Sequence, residues 1–261
     1  MAARVKTLAA VLAIVVTGAT TTGVAQGGRA GGGGGSPTQR APAPRETAPV
    51  DLTGYWVSVV SEDWRYRIAT PPKGDTGGVP LNAEGRKVAD GWDPARDAAT
   101  GNECRWYGAA GLMRVPGRLH ITWQDDDTLK IEADAGRQVR LLHFGRSYQP
   151  ATEASWQGDT VAAWEGVGGR AAGPGPRWAS LRAVTTRMRP GYLRRNGVPY
   201  SENAVLTEYF DRHSAPDGSE WITVTSIVLD PTYLTQEFIT STDFKKEPDG
   251  AKWNPTPCEA T

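Results

Sequence analysis

The stretch GRLHITWQDDDTLKIEADAGRQVRLLHFG, residues 117–145, constrains the fold more than any other part of this chain. It alternates apolar and polar residues in successive runs, with turn-forming residues between them. Alternation at period two puts every second side chain on one side of a strand, so the stretch predicts a three-stranded antiparallel meander with one apolar face. Pairing Gln124 with Thr128 around Asp125–Asp127 sets Trp123 opposite Leu129, Ile121 opposite Ile131 and His120 opposite Glu132. A two-residue turn at Gly136-Arg137 then sets Ile131 opposite Leu142, Leu129 opposite Phe144 and Lys130 opposite His143. This register keeps the apolar residues together, and a slip of one residue would turn them all to the other face.

Similar short runs, bounded by Gly, Pro and Asp, recur along the chain. Val50–Ser61 reads as the opening strand, continued by Trp64–Ile68 after a kink. Residues 69–80 and 167–177 are Pro/Gly loops, and 93–103 reads as a polar loop. Leu81–Trp92 is the best helix, with Asn82 as N-cap and Gly91 as stop. Ser155–Gly166 is a turn followed by a strand, and Leu181–Arg189 is a strand leading into a long connection. Ala204–His213, Trp221–Leu229 and Leu234–Phe244 are the closing strands. The prediction is an all-β antiparallel domain of eight or nine strands with one short helix and long loops. A closed or nearly closed barrel is the expected architecture, because closure removes edge strands; a β-sandwich is the alternative.

The ends of the chain set the compartment. MAARVK is basic, TLAAVLAIVV is apolar, and Gly23 and Ala25 supply small residues at −3 and −1 of a cleavage position. Residues 1–25 therefore read as a signal peptide, with the mature chain secreted or periplasmic and not stably inserted in a membrane. Residues 26–49 are rich in Gly, Pro and Ala and read as a disordered linker, which leaves 50–261 as one folded domain. The chain holds only two cysteines, Cys104 and Cys258, and in an oxidising compartment these read as one disulfide. It would close a loop worth roughly 5 kcal/mol on the chain-entropy model. Basic and acidic residues balance at 29 each, so the sequence carries no electrostatic footprint for nucleic acid.

Chemistry concentrates on the second face of the meander, which carries His120, Lys130, Glu132 and His143. Opposed residues bring their Cβ atoms within about 5 Å, so His120 and Glu132 form a candidate acid–base pair, with His143 as a third catalytic candidate. Whether that face looks into the barrel or out to water is not decided by periodicity. Glu208 shares its strand face with Ala204, Leu206 and Phe210, and a buried carboxylate there must be paired or functional. An ion pair with Arg182 or Arg187 is its structural explanation, and ligand binding its functional one. Of ten tryptophans, Trp56, Trp123, Trp164 and Trp221 lie in strands and read as core. Trp64, Trp92, Trp106, Trp156, Trp178 and Trp253 lie in or near loops, where they either cap the core or stack on a ligand ring; Trp64 and Trp156 are the ligand-binding candidates. The sequence has no HExxH or CxxC motif and no nucleotide-binding glycine pattern, so neither metal nor cofactor is expected.

DLTGYW, with Gly54 and Trp56, resembles the G-x-W signature on the first strand of lipocalins and other calycin barrels, and a late cysteine partnering a mid-chain one is also lipocalin-like. Cys104, the meander, SWQGDTVAAWEG, AVLTEYFDR and LDPTYLTQEF follow in order a pattern that resembles a large group of secreted bacterial proteins, over most of residues 50–258. That pattern has WEGDTLVV where this chain has WEGVGGRAAG, so the strand after Gly166 departs from it. The resemblance implies secretion and the domain limits, and it brings no catalytic residues.

Three functions fit these observations. The first is a secreted barrel binding a small, largely apolar or aromatic ligand against tryptophans. The second is a cofactor-free isomerase, lyase or hydrolase using His120 and Glu132 on the same barrel. The third is an envelope interaction domain on a tether.

Overall fold

The computed structural model describes residues 42–145, 148–166 and 179–260. Residues 1–25, read as a signal peptide, residues 26–41 of the expected linker, the expected Gly/Pro loop 167–177 and Trp178 lie outside the described residues. The described end of the linker stretch forms a short helix, α1 (Pro44–Thr47), beside the buried Ala43. The Arg45 N–H donates to the Asp126 carbonyl at 3.1 Å, tying this segment to a barrel turn.

Nine strands close into a barrel. In chain order these are β1 (Gly54–Val59), β2 (Arg118–Trp123), β3 (Thr128–Ala133), β4 (Gln138–Phe144), β5 (Asp159–Gly166) and β6 (Ala179–Thr186), then β9 (Val205–Ser214), β10 (Glu220–Leu229) and β11 (Phe238–Glu247). A separate hairpin, β7 (Gly191–Arg194) with β8 (Val198–Tyr200), lies between β6 and β9, which pair directly with each other. The order around the barrel is β1-β11-β10-β9-β6-β5-β4-β3-β2. All neighbours are antiparallel except β4 and β5. The long connection from β4 carries the chain back to the end where β4 began, as a parallel pair requires.

The β2–β3 register is the predicted one, His120 opposite Glu132 and Ile121 opposite Ile131. The β3–β4 register is shifted by two residues from the prediction: Ile131 faces Arg140, Leu129 faces Leu142 and Thr128 faces His143. The physical cause is Asp134. Its Oδ1 accepts from the Arg118 and Ala135 N–H groups, each at 2.7 Å, and this lengthens the turn from Gly136-Arg137 to Asp134–Arg137. A shift of two preserves which face each residue occupies.

The lumen is filled by side chains. Ile131, Leu142, Leu181, Ala183, Phe210 and Phe244 are at most 1% exposed, and a void wide enough for water would leave surface on the residues around it. Trp56 is fully buried and donates its indole N–H to the Leu52 carbonyl at 3.0 Å. Trp123 and Trp164 pack with Phe144 toward one end. Trp221, expected in the core, lies on the outer face under the Lys245 ammonium.

A cap covers the end of the barrel where β2, β9 and β11 begin. It holds more helix than the sequence suggested: α2 (Trp64–Arg67), α3 (Ala83–Asp90), α4 (Pro94–Ala99), a 3-10 helix (Glu103–Tyr107) and α5 (Ala109–Leu112). α3 is the predicted helix, with the Asn82 side chain accepting from Gly85 N–H and Gly91 at its end. α2 replaces the expected continuation of the first strand, and α4 replaces part of the expected polar loop. Asp93 caps α4 by accepting from the Ala95 and Arg96 N–H groups, and Pro94 at its first position is preset for a helix. The Cys104–Cys258 disulfide ties the 3-10 helix to the C-terminal tail.

Candidate functional site

The polar face of the meander lies outside the barrel. His120 and Glu132 are brought together, with Nδ1 of His120 3.2 Å from Oε2 of Glu132, and Lys130 reaches the same oxygen at 3.0 Å. The His120 ring stacks flat on Tyr55 at 4.1 Å and meets the edge of Trp253. These partners hold the imidazole against the outer wall, and the cavities described below do not adjoin it. His143 forms a separate group near the β3–β4 pairing. Its Nδ1 lies 3.3 Å from the Thr128 hydroxyl, and its ring stacks on Tyr148 at 3.7 Å. Desolvation by these neighbours lowers the His143 pKa, with Asp125 and Asp159 opposing that shift. The Tyr148 hydroxyl donates to Asp159, which also pairs with Arg187 at 3.1 Å.

Glu208 points into the lumen and is fully buried. Its partner is neither Arg182, which lies beside Glu165, nor Arg187, but Arg140 from the far side of β5 and β6. The guanidinium grips both carboxylate oxygens, at 3.1 and 2.5 Å, and also donates to Thr185. Both groups are engaged within the packed lumen. The two ligand-binding tryptophans do not converge on Glu208 or on each other. Trp64 is 64% exposed on α2, and Trp156 lies under the Arg189 guanidinium, 4.0 Å from its ring centre.

Open space lies in the cap. A cleft of about 490 Å³ opens between the α3–α4 corner, the 3-10 helix and β7, lined by Trp92, Arg96, Asp97, Asn102, Arg105 and Tyr192, among others. Its floor is built from three side chains. Asp97 is buried and accepts from the Tyr192 hydroxyl at 2.6 Å and from Arg105 Nη1 at 2.8 Å; the same Nη1 donates to the Tyr192 oxygen at 3.0 Å. Burial, reinforced by the hydrogen bond to Asp97, pushes the Tyr192 phenol up to about 12. It therefore stays protonated and keeps donating to Asp97 at neutral pH. With both oxygens engaged, Asp97 orients the floor. Trp92 forms a wall, its indole lying against Gly197, where an added Cβ would fall 2.2 Å from the ring and where φ is +79°. A side chain at that position would expel the indole.

A second cavity of about 290 Å³ is lined by Arg67, Ile68, Trp106, Tyr107, Arg195 and Glu259, among others. A small void of about 10 Å³ shares Arg105 and Tyr192 with the cleft, and Trp106, Arg195 and Glu259 with the second cavity. Comparison with family models, curated proteins and solved structures found no match for the chain. Among the described residues, no three His, Cys, Asp or Glu side chains converge as a metal would require, and no helix is long and apolar enough to cross a membrane.

Of the cleft residues, Trp92 was legible as a loop tryptophan. Asp97, Arg105 and Tyr192 were missed. The Asp93-Pro94 pair is an N-terminal helix signal that would have revealed α4. Nothing local announces the contact between Asp97 and Tyr192, which are 95 residues apart.

Proposed function

We propose that this chain is an exported β-barrel protein that binds a small ligand on its cap rather than in its lumen. One observation carries the reading: the described residues leave a cleft of about 490 Å³ walled by Trp92 and floored by Asp97, Arg105 and Tyr192, while the centre of the barrel is packed. Sites of this kind combine an apolar wall with a few polar groups whose positions are set before the ligand arrives. The ligand is more polar than the sequence alone suggested, because arginine, carboxylate and amide groups share the lining with the aromatic rings. Export is supported by the leader-like amino terminus and by the disulfide. The outer-face His120–Glu132 pair is read as a sheet contact.

Calorimetric titration of the mature chain against monosaccharides, nucleosides, aromatic acids and sterols tests this. Saturable binding of one class that weakens about tenfold in Trp92→Ala and is unchanged in His120→Ala is expected. Binding that survives Trp92→Ala and is lost in His120→Ala, or no binding by any class, would overturn it.

A further inference from the structure

Arg194 of β7 is 2% exposed, yet among the described residues no carboxylate lies within ion-pair distance of it. The other arginines of this part of the cap each have one: Arg65 pairs with Asp75, Arg67 with Glu62 and Arg114 with Asp63. Four guanidiniums therefore share three carboxylates, and the one left over is buried. A buried charge without a counter-charge is costly. Burial, and after it the charge of Arg114, hold the Arg194 pKa below the ordinary arginine value, with Tyr66, Asp63 and Asp75 opposing.

One face and one end of this guanidinium are occupied. Its carbon lies 3.8 Å from the centre of the Tyr66 ring, and Nη1 donates to the Gly77 carbonyl at 2.7 Å. Asn196 pins the same loop by donating to the Pro72 and Asp75 carbonyls, at 2.9 and 3.0 Å. The remaining edge, Nε with Nη2, has no acceptor among the described residues. Nε is buried, whereas Nη2 keeps contact with solvent beside Gly78. A Cβ added at Gly78 would lie 3.6 Å from Nη2 and, its chain neighbours aside, within 4 Å of nothing else. That edge carries two parallel N–H bonds, the pair that grips both oxygens of a carboxylate or phosphate.

We infer that Arg194, at the Gly77-Gly78 turn, is a binding site for a small oxyanion, a carboxylate or phosphate group that supplies the missing counter-charge. The anion enters beside Gly78, meets Nη2 first and gives its second oxygen to Nε. A water molecule on the same edge would satisfy an N–H and leave the charge unpaired. The site is apart from the cleft, whose lining includes neither Arg194, Tyr66 nor Gly78, so either can fail without the other.

Thermal unfolding of the full mature chain tests this, with inorganic phosphate or acetate replacing chloride at constant ionic strength, up to about 20 mM. A ligand of the folded state alone raises the melting temperature with the logarithm of its concentration. At least one of the two anions should do so, and the one that acts tells phosphate from carboxylate. Gly78→Asp and Gly78→Asn place side chains of one shape in the open space, on a left-handed backbone both residues tolerate. Only the first brings a carboxylate to Nη2, so it should melt higher than the second and lose the oxyanion response. Arg194→Lys keeps a cation without the two-pronged edge and should also lose the response. No gain over chloride with either anion overturns the site and leaves water on that edge. A gain that persists in both Gly78→Asp and Arg194→Lys overturns it as general salt stabilisation. Equal melting of Gly78→Asp and Gly78→Asn overturns it as well, because the added carboxylate would then find no unpaired charge.

Discussion

In the lumen, β4, β6 and β9 bring Leu142, Leu181 and Phe210 together and leave no room for water between them. In the cap, α4, the 3-10 helix and β7 hold Asp97, Arg105 and Tyr192 in contact and leave open space beside them. The difference lies in the kind of element. Strands present side chains at a fixed period to one axis, so small and large residues interdigitate continuously. Short helices joined by tight turns meet at angles their side chains do not fill, and hydrogen bonds between distant residues hold them apart. The barrel is the packed part of the molecule, and the candidate site lies on the cap above it.

Breaking the lumen should have the largest effect. Glu208→Gln leaves the Arg140 guanidinium buried without its counter-charge, and urea unfolding should show a loss of about 3–5 kcal/mol. Replacing both partners, Arg140→Met with Glu208→Leu, should recover most of it, because two fully desolvated charges disappear together. A loss below about 1 kcal/mol for Glu208→Gln would mean that water reaches the pair, and the contrast between closed lumen and open cap would fail.

Gly197→Ala acts on the cap and should cost about 2–4 kcal/mol, from a left-handed backbone and a Cβ driven into Trp92. The tryptophan emission should change and cleft binding should fall, with the barrel's far-ultraviolet spectrum intact. An unchanged emission spectrum would show that the indole is not held where the cleft needs it.

The smallest effect sharpens the comparison from the alkaline side. The Tyr192 phenol titrates at about 12 in the fold against an ordinary value of 10.0, so the folded state keeps a proton that the unfolded state releases. Its stabilising contribution is complete below pH 10 and is lost as pH rises toward 12, about 1 kcal/mol of it by pH 11. Tyr192→Phe should flatten the stability profile over that window by this amount. Identical slopes for the two proteins would show that the Tyr192 site is wetter than its packing indicates.

Much of the barrel was legible locally. The β2–β3 register could be read because a three-residue loop and matching apolar residues allow only one pairing that keeps Ile121 beside Ile131. Asn82 and Gly91 marked the ends of α3 by ordinary capping chemistry. The shifted β3–β4 register was not legible, because it depends on Asp134 accepting from Arg118, sixteen residues earlier. The candidate site was less legible still. Alternation drew attention to His120, Glu132 and His143, which are polar because they lie on the outside of the sheet, whereas the cleft residues sit in segments with no periodicity.

What the sequence determined by itself is the set of properties that depend on neighbours along the chain: alternation and hence strands, the apolar face of the meander, the cap residues of α3, and a pair of cysteines. Tertiary structure alone decided the rest. It chose Arg140 for Glu208 across 68 residues, paired β4 with β5 in parallel, and brought Asp97, Arg105 and Tyr192 to one floor. The physical reason is that backbone geometry and turn chemistry act over a few residues. The partner of a buried charge, and the place where packing leaves a gap, depend instead on which distant surfaces meet when the barrel closes.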